Sequence, residues 1–284
     1  MKSFPRRFFS SASSSPYKTI QLSVDENQFA TIALNRPEAH NAFNTEMISE
    51  LQHCLTSPDI VQANLPKVRA LFVTSVGKTF CAGGDLKSMQ RLGEGADQLD
   101  NNNRDAKLLS QFLHTLNRLP LPTICLVQGN AFGGGVGLAS VCDICVAIKH
   151  AEFGLTEVKL GMIPATISPY VVAKIGPGQA RRYFLTAERF SAQTAQSIGL
   201  LHEVCEDAQA LQEWKLRFQK LLLGNAPLAM KAAKELVEFI GEHADDPQLL
   251  MEETAKRLAT QRASPEAQHG IKAFLSKTSP TWTN

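Results

Sequence analysis

Residues 18–24 and 29–34 alternate apolar or β-branched side chains with polar ones on either side of Asp25-Glu26-Asn27. A period of two puts one face inward and the other outward, which predicts the two strands of a hairpin. After Arg36-Pro37 the period lengthens: residues 44–55 carry apolar side chains at helical spacing behind Asn44, a residue type that caps helix N-termini. An apolar run at 68–74 reads as a strand, residues 105–117 as a helix ended by Pro120 and Pro122, and 123–127, 135–141 and 144–148 as strand, short helix and strand. The recurring unit is strand, strand, helix. Beyond Gly161 the strand signal fades, and 168–175, 178–187, 191–198, 208–223, 227–240, 247–261 and 265–275 all favour helix. No Ser/Gly/Pro-rich linker separates the halves. The pattern therefore predicts an α/β fold, with residues 18–284 as one domain whose helical C-terminal region runs from about 205 to 284.

Composition narrows the partners. Hydrophobic residues make up 44% of the 284, enough for a sizeable core, and the richest stretch, 123–148, is interrupted by Gln128, Asn130 and Asp143, so no membrane span is expected. Lys and Arg total 29 against 27 Asp and Glu, a balance without the basic footprint of a nucleic-acid binder. The N-terminus departs from that balance, because Lys2, Arg6, Arg7 and Lys18 precede the first acidic residue, Asp25, and residues 10–15 are nearly all serine. That is the composition of a mitochondrial targeting segment or of a disordered terminus, and either reading sets residues 1–17 outside the fold. The first places the protein in the mitochondrial matrix, the second in the cytoplasm. Cys54, Cys81, Cys125, Cys142, Cys145 and Cys205 lie mostly in apolar segments without a secretory signal and are expected to be reduced. Cys142 and Cys145 form a C-x-x-C with no second pair, which reads as small buried hydrophobes rather than zinc ligands. The seven histidines show no metal or triad spacing, so no metal and no redox cofactor is implied.

Two glycine-rich segments carry candidate chemistry. Phe80-Cys81-Ala82-Gly83-Gly84-Asp85-Leu86-Lys87 follows a predicted strand, and Gly129-Asn130-Ala131-Phe132-Gly133-Gly134-Gly135 joins the strand 123–127 to a helix. A reaction that builds negative charge on a carbonyl oxygen needs N–H donors aimed at it, and positions without side chains expose them best. A helix N-terminus adds unpaired amides and a positive dipole end. The phosphate-loop reading fails for want of Gly-Lys-Ser/Thr, and Gly133, Gly134, Gly135 and Gly137 lack the dinucleotide-binding spacing. Two separate turns can thus each supply one donor to one oxyanion site.

These segments, followed by Phe153-Gly154-Leu155-Thr156-Glu157-Val158-Lys159-Leu160-Gly161, stand in an order that resembles the crotonases, the enoyl-CoA hydratase/isomerase family. The resemblance extends from Leu34-Asn35-Arg36-Pro37 and Asn41-Ala42 to Ala187-Glu188-Arg189-Phe190 and Ile198-Gly199-Leu200. It implies a spiral of ββα units with a C-terminal helical region, assembled as a homotrimer or homohexamer. It also implies Gly84 and Gly134 as the oxyanion amides of a thioester carbonyl and Glu157 as the catalytic acid/base. Coenzyme A, entering as part of the acyl-CoA substrate and not as a cofactor, would lie across Arg36 to Ala39 and Ala82, Gly83, Gly84, Asp85 and Leu86, with Lys277 near its phosphates. Arg181-Arg182 read as solvated surface.

One departure bears on the reaction. Two-glutamate hydratases of the family carry a second glutamate where this chain has Gly137, and isomerases of the family manage with one at the position of Glu157. Against isomerase, Leu160-Gly161-Met162-Ile163-Pro164-Ala165-Thr166-Ile167-Ser168-Pro169-Tyr170 is similar to a bacterial-type subgroup of methylglutaconyl-CoA and carboxygeranoyl-CoA hydratases, the former acting in leucine breakdown. The resemblance implies a lyase that adds water to a branched 2-enoyl-CoA, and the space beside Gly137 is expected to hold that water or the branch of the acyl group. A Δ3,Δ2-enoyl-CoA isomerase and a non-catalytic coenzyme A-binding protein are the alternatives.

Overall fold

The computed structural model describes residues 16–62 and 65–283, so the targeting-like reading of residues 1–17 lies outside the described part up to residue 15, while Tyr17 packs against the core and so belongs to the fold. The chain opens on the hairpin of β1 (Ile20–Val24) and β2 (Phe29–Leu34), paired antiparallel from Ile20 opposite Leu34 to Val24 opposite Ala30. Then come α1 (Thr45–Leu55), the short pair β3 (Val61–Gln62) and β4 (Leu65–Pro66), β5 (Ala70–Ser75) and β6 (Thr79–Cys81). Next are α2 (Leu86–Leu92), α3 (Gln98–Asn117), β7 (Thr123–Val127), β8 (Asn130–Phe132), α4 (Gly134–Val141), β9 (Ile144–Ile148) and β10 (Glu152–Gly154). A 3-10 turn at Glu157–Leu160 leads to α5 (Ser168–Thr186), β11 (Phe190–Ser191), α6 (Ala192–Ser197) and β12 (Glu203–Cys205). Four helices close the chain: α7 (Ala208–Leu223), α8 (Pro227–Glu242), α9 (Pro247–Ala263) and α10 (Pro265–Leu275). This is a mixed α/β fold with a helical C-terminal region, as the sequence predicts.

The main sheet has the order β1-β2-β5-β7-β9-β12, and every pairing after the first is parallel. Parallel strands covered on both faces need side chains that tolerate burial on either side. Accordingly all five residues of β7 are buried, as are five of the six in β5, whereas edge strand β1 buries only Ile20. Helix α7 covers one face, setting Leu211, Trp214 and Leu222 in a cluster with Phe29, Phe72, Ile124 and Val146. On the other side α1, α3, α4 and α5 enclose the larger core through residues such as Leu51, Phe112, Leu138 and Val171.

A second sheet, ordered β11-β10-β8-β6, places the site. Strands β5, β7 and β9 of the main sheet are each followed within three or four residues by a short strand, β6, β8 and β10 respectively. Those three short strands pair in parallel with one another. They therefore cross beyond the carboxyl ends of the main-sheet strands, where open α/β sheets bind ligands.

Several elements differ from the sequence prediction. Strands β6, β8, β10, β11 and β12 have two or three residues each, too few to show a period, and β11 and β12 lie in the region where the strand signal fades. Helix α3 starts seven residues earlier than its apolar spacing suggests, because Asp100, Asn101, Asn102 and Asn103 form a polar first turn and a half. One expectation in this region holds: α5 is two helical segments divided at Gly176, whose backbone (φ 74°, ψ 160°) is non-helical just before Pro177, in line with separate helices at 168–175 and 178–187. Proline crowds the preceding residue out of helical geometry, which explains the break at that point.

Candidate active site

The three parallel short strands deliver the candidate residues in spatial sequence. Strand β6 runs into Gly83-Gly84, its neighbour β8 into Gly133-Gly134, and the next strand, β10, into Glu157. Residues some 75 positions apart in the chain thus become neighbours through strand pairing. Gly83 Cα lies 3.8 Å from the Cβ positions that side chains at Gly133 and Gly134 would take, and a Cβ at Gly83 would stand 3.1 Å from Phe132 O and 3.5 Å from Gly134 N.

The direction of the Gly84 amide is set by a residue sequence reasoning passed over. Phe43 forms a one-residue parallel bridge with Gly84: its N–H donates to Gly83 O at 2.7 Å, and its C=O accepts from Asp85 N at 2.7 Å. Along an extended backbone successive residues turn their N–H groups to opposite sides. With Gly83 and Asp85 engaged by Phe43, the Gly84 N–H points away from it, and it appears in no hydrogen bond among the described residues.

The Gly134 amide is left open by a different device. Gly134 is the first residue of α4, so its N–H has no partner within the helix. Gly133, the N-cap, has φ 49° and ψ −117°. That left-handed backbone suits glycine, and a Cβ there would also stand 2.9 Å from Glu157 Oε1. Gly133 N donates to Gly154 O at 2.8 Å, tying the turn to the end of β10 just before Glu157. Gly84 and Gly134 remain partly exposed while Gly83 and Gly133 are buried, so the two open amides sit at the surface of a rigid floor.

Glu157 begins the 3-10 turn after β10, and its C=O accepts from Met162 N at 3.1 Å. Its Oε2 is buried and has no hydrogen-bond partner among the described residues. Burial pushes the Glu157 carboxyl above the usual carboxylate range, offset in part by its own backbone N–H. A buried, unpartnered carboxyl is costly in a protein at rest, and such groups cluster at functional sites. Two open amides and one starved carboxyl thus share a floor of glycine turns, an arrangement able to stabilise an oxyanion and move a proton beside it.

The remaining predicted residues divide. Ala82 is exposed, with its N–H on His40 O at 3.0 Å, and Leu86 is exposed at the start of α2, so both stand on the rim within two residues of Gly84; Ala39 is half-buried in the turn before His40. Arg36 is already committed: Nη2 meets Asp85 Oδ2 at 2.9 Å and Nη1 donates to Ala42 O at 2.7 Å. Asp85 also caps α2, accepting from Lys87 N and Ser88 N at 3.1 Å each. Its partial burial would raise the carboxyl, but Arg36 and those amides outweigh it and hold it below the usual range. Arg36 and Asp85 therefore brace the turn around Gly84 through one another. Asn41, fully buried, completes the brace with Nδ2 on Val76 O and Thr79 O at 2.9 and 2.8 Å.

Gly137 requires a correction. It is buried in α4, and a Cβ there would meet Ile167 Cγ2 at 2.1 Å and Ile167 Cβ at 2.6 Å, so a side chain would enter Ile167 rather than open space beside an acyl group. Lys277 lies exposed after α10. The turn that follows it, Thr281–Thr283, is anchored by Arg69, which donates to Trp282 O at the amino end of β5, the end away from Gly84. Among the described residues no backbone hydrogen bond joins Lys277 to the glycine turns. Besides Phe43, two packing roles are absent from the local pattern: Met89, whose side chain covers Gly84, and Ile167, which covers Gly137. Their roles depend on contacts between distant segments.

Comparison with known proteins agrees with this geometry. The family model described as Enoyl-CoA hydratase/isomerase matches residues 25–284. An enoyl-CoA hydratase from Shewanella pealeana, of known crystal structure, is 37% identical, with a TM-score of 0.84 over 94% of this chain and 97% of that one. The 2,3-dehydroadipyl-CoA hydratase of Escherichia coli is 32% identical over 88% of this chain and 92% of its own. The 1,2-epoxyphenylacetyl-CoA isomerase of the same organism is 30% identical over 92% and 97%. Residue pattern, fold and relatives converge: the chain is an enzyme of the enoyl-CoA hydratase/isomerase family, within the crotonase superfamily.

Proposed function

We propose that the protein adds water across the double bond of a 2-enoyl-CoA. The observation that carries this reading is the buried, unpartnered Glu157 carboxyl set against the open amides of Gly84 and Gly134. The thioester oxygen would take both N–H donors. Ionised Glu157 would remove a proton from water as the water oxygen bonds to the β-carbon, and the double-bond electrons would move onto the thioester as an enolate held by the two amides. Glu157 would then return the proton to the α-carbon, and the carbonyl would re-form. One carboxylate suffices, because the proton it accepts is the proton it donates.

The segment around Met162-Ile163-Pro164-Ala165-Thr166-Ile167 supports a branched or carboxylated acyl group such as methylglutaconyl. The basic, serine-rich N-terminus supports the mitochondrial matrix as its place. Helices α8 and α9 bury none of their residues, and Val237, Met251 and, on α10, Phe274 at 83% are exposed. These faces support assembly into a homotrimer or homohexamer.

A second reading, double-bond isomerase, is favoured by one observation: Ile167 stands where a second carboxylate on α4 would project. In that case Glu157 would carry a proton from C2 to C4 without water. Incubation with 2-enoyl and 3-enoyl thioesters in heavy-oxygen water separates the two. Heavy oxygen in the acyl product is expected; a shifted double bond without it would replace hydration by isomerisation.

A further inference from the structure

Helix α4 and its N-cap turn two glycines, Gly133 and Gly137, toward the segment that carries Glu157. Gly137 N donates to Gly133 O at 3.1 Å, so the two lie on one face of the helix about one turn, roughly 6 Å, apart. Against the first stands Glu157, its Oε1 2.9 Å from the Cβ position of Gly133. Against the second stands Ile167, its Cγ2, Cβ and Cδ1 at 2.1, 2.6 and 3.5 Å from the Cβ position of Gly137. Both come from the stretch between β10 and α5, and Ile167 is 2% exposed. A β-branched side chain is stiff at χ1, and the atoms nearest Gly137 are its branch point and first methyl, not a flexible end. Nothing larger than hydrogen at 137 fits while Ile167 stays in place.

We propose that Ile167 is a specificity-determining residue: it fills with hydrocarbon the volume, one helical turn from Glu157, that a second carboxylate on α4 would occupy, and so confines the site to single-carboxylate chemistry. Gly137 and Ile167 act as a matched pair, and neither can change toward a two-carboxylate site without the other. The same plug removes a place where a second polar group on α4 would sit near Glu157. The consequence for chemistry rests on the reading of Glu157 as the acid/base; the steric pairing does not.

The test compares the wild type with Gly137→Glu, Ile167→Ala and the double variant. Gly137→Glu alone is expected to lower Tm by about 5 °C or more, through overpacking. Adding Ile167→Ala should recover part of that loss, so that the double variant melts above the sum of the single effects. If Gly137→Glu does not fold, recovery of folded protein in the double variant gives the same answer. In heavy-oxygen water the double variant is expected to hydrate crotonyl-CoA at least about tenfold faster than Ile167→Ala. Wild-type stability in Gly137→Glu, or additive losses in the double variant, would overturn the pairing. A paired but catalytically unimproved double variant, still exchanging the α-hydrogen with solvent, would overturn the role in specificity while leaving Glu157 as the acid/base. Loss of that exchange in Glu157→Gln checks Glu157 separately.

Discussion

Two carboxylates mark the two ends of the parallel sheet, and the chain treats them oppositely. At the amino end, Asp143 Oδ2 accepts from Thr123 N at 2.8 Å, Thr123 Oγ1 at 2.9 Å and Lys234 Nζ at 2.9 Å, and Lys174 Nζ donates to Asp143 O at 3.0 Å. Lys234 belongs to α8 and Lys174 to α5, so Asp143 fastens two helices to strands β7 and β9, α8 through its carboxylate and α5 through its backbone carbonyl. At the carboxyl end, Glu157 Oε2 has no partner, and the amides of Gly84 and Gly134 beside it are open. A saturated centre stabilises a fold, whereas an unsaturated one keeps its hydrogen-bonding capacity for a ligand. The same residue class thus serves structure at one end and chemistry at the other, according to how many donors the tertiary fold brings to it.

That contrast breaks if turnover does not depend on Glu157. Glu157→Gln is expected to lower turnover by at least about a hundredfold while acyl-CoA binding changes little, measured by steady-state kinetics and calorimetry. Gly134→Pro should follow, costing about 3 kcal/mol of transition-state stabilisation by deleting one donor N–H. Proline is tolerated at the first position of a helix, and a native circular dichroism spectrum would confirm the fold. Gly134→Ala keeps the N–H and meets the Phe43 ring at 3.0 Å as its nearest neighbour, so its loss should be smaller.

Asp143→Asn sharpens the comparison from the other end. It should cost about 1.5–3 kcal/mol of stability, read by denaturant titration, with turnover nearly unchanged, since the loss is of charge-assisted hydrogen bonds far from the glycine turns. A smaller effect concerns pH. Because the folded protein holds the Glu157 proton more tightly than the unfolded chain does, the group's contribution to stability is complete below the unfolded carboxyl pKa of about 4.3 and is lost as pH rises through the higher folded value. Glu157→Gln should therefore raise Tm relative to wild type at neutral pH, and the gain should shrink in acid. A pH-independent difference would mean that the carboxyl is not strained by burial.

Much of this molecule is legible in one dimension. Helix α7 was predicted at its observed bounds, and Asn44 caps α1 by accepting from Met47 N at 2.9 Å, because helix signals are local and recur over many residues. The glycine turns and Glu157 were also readable, as motifs in order. Strands of two or three residues were not, since pairing between distant segments, and not any period of their own, creates them.

The sequence by itself determined the α/β class, the helical C-terminal region and which residue types are present to stabilise an oxyanion and carry a proton. Only the tertiary structure decided how those residues are used. Phe43 turns the Gly84 amide outward, Arg36 is held by Asp85, and Gly137 packs under Ile167 instead of facing a ligand. Each of these outcomes depends on the direction of a hydrogen bond or the filling of a volume by a residue 30 or more positions away. Such relations leave no mark on the local pattern of hydrophobic and polar residues, because they come into being only when β6, β8 and β10 pair side by side.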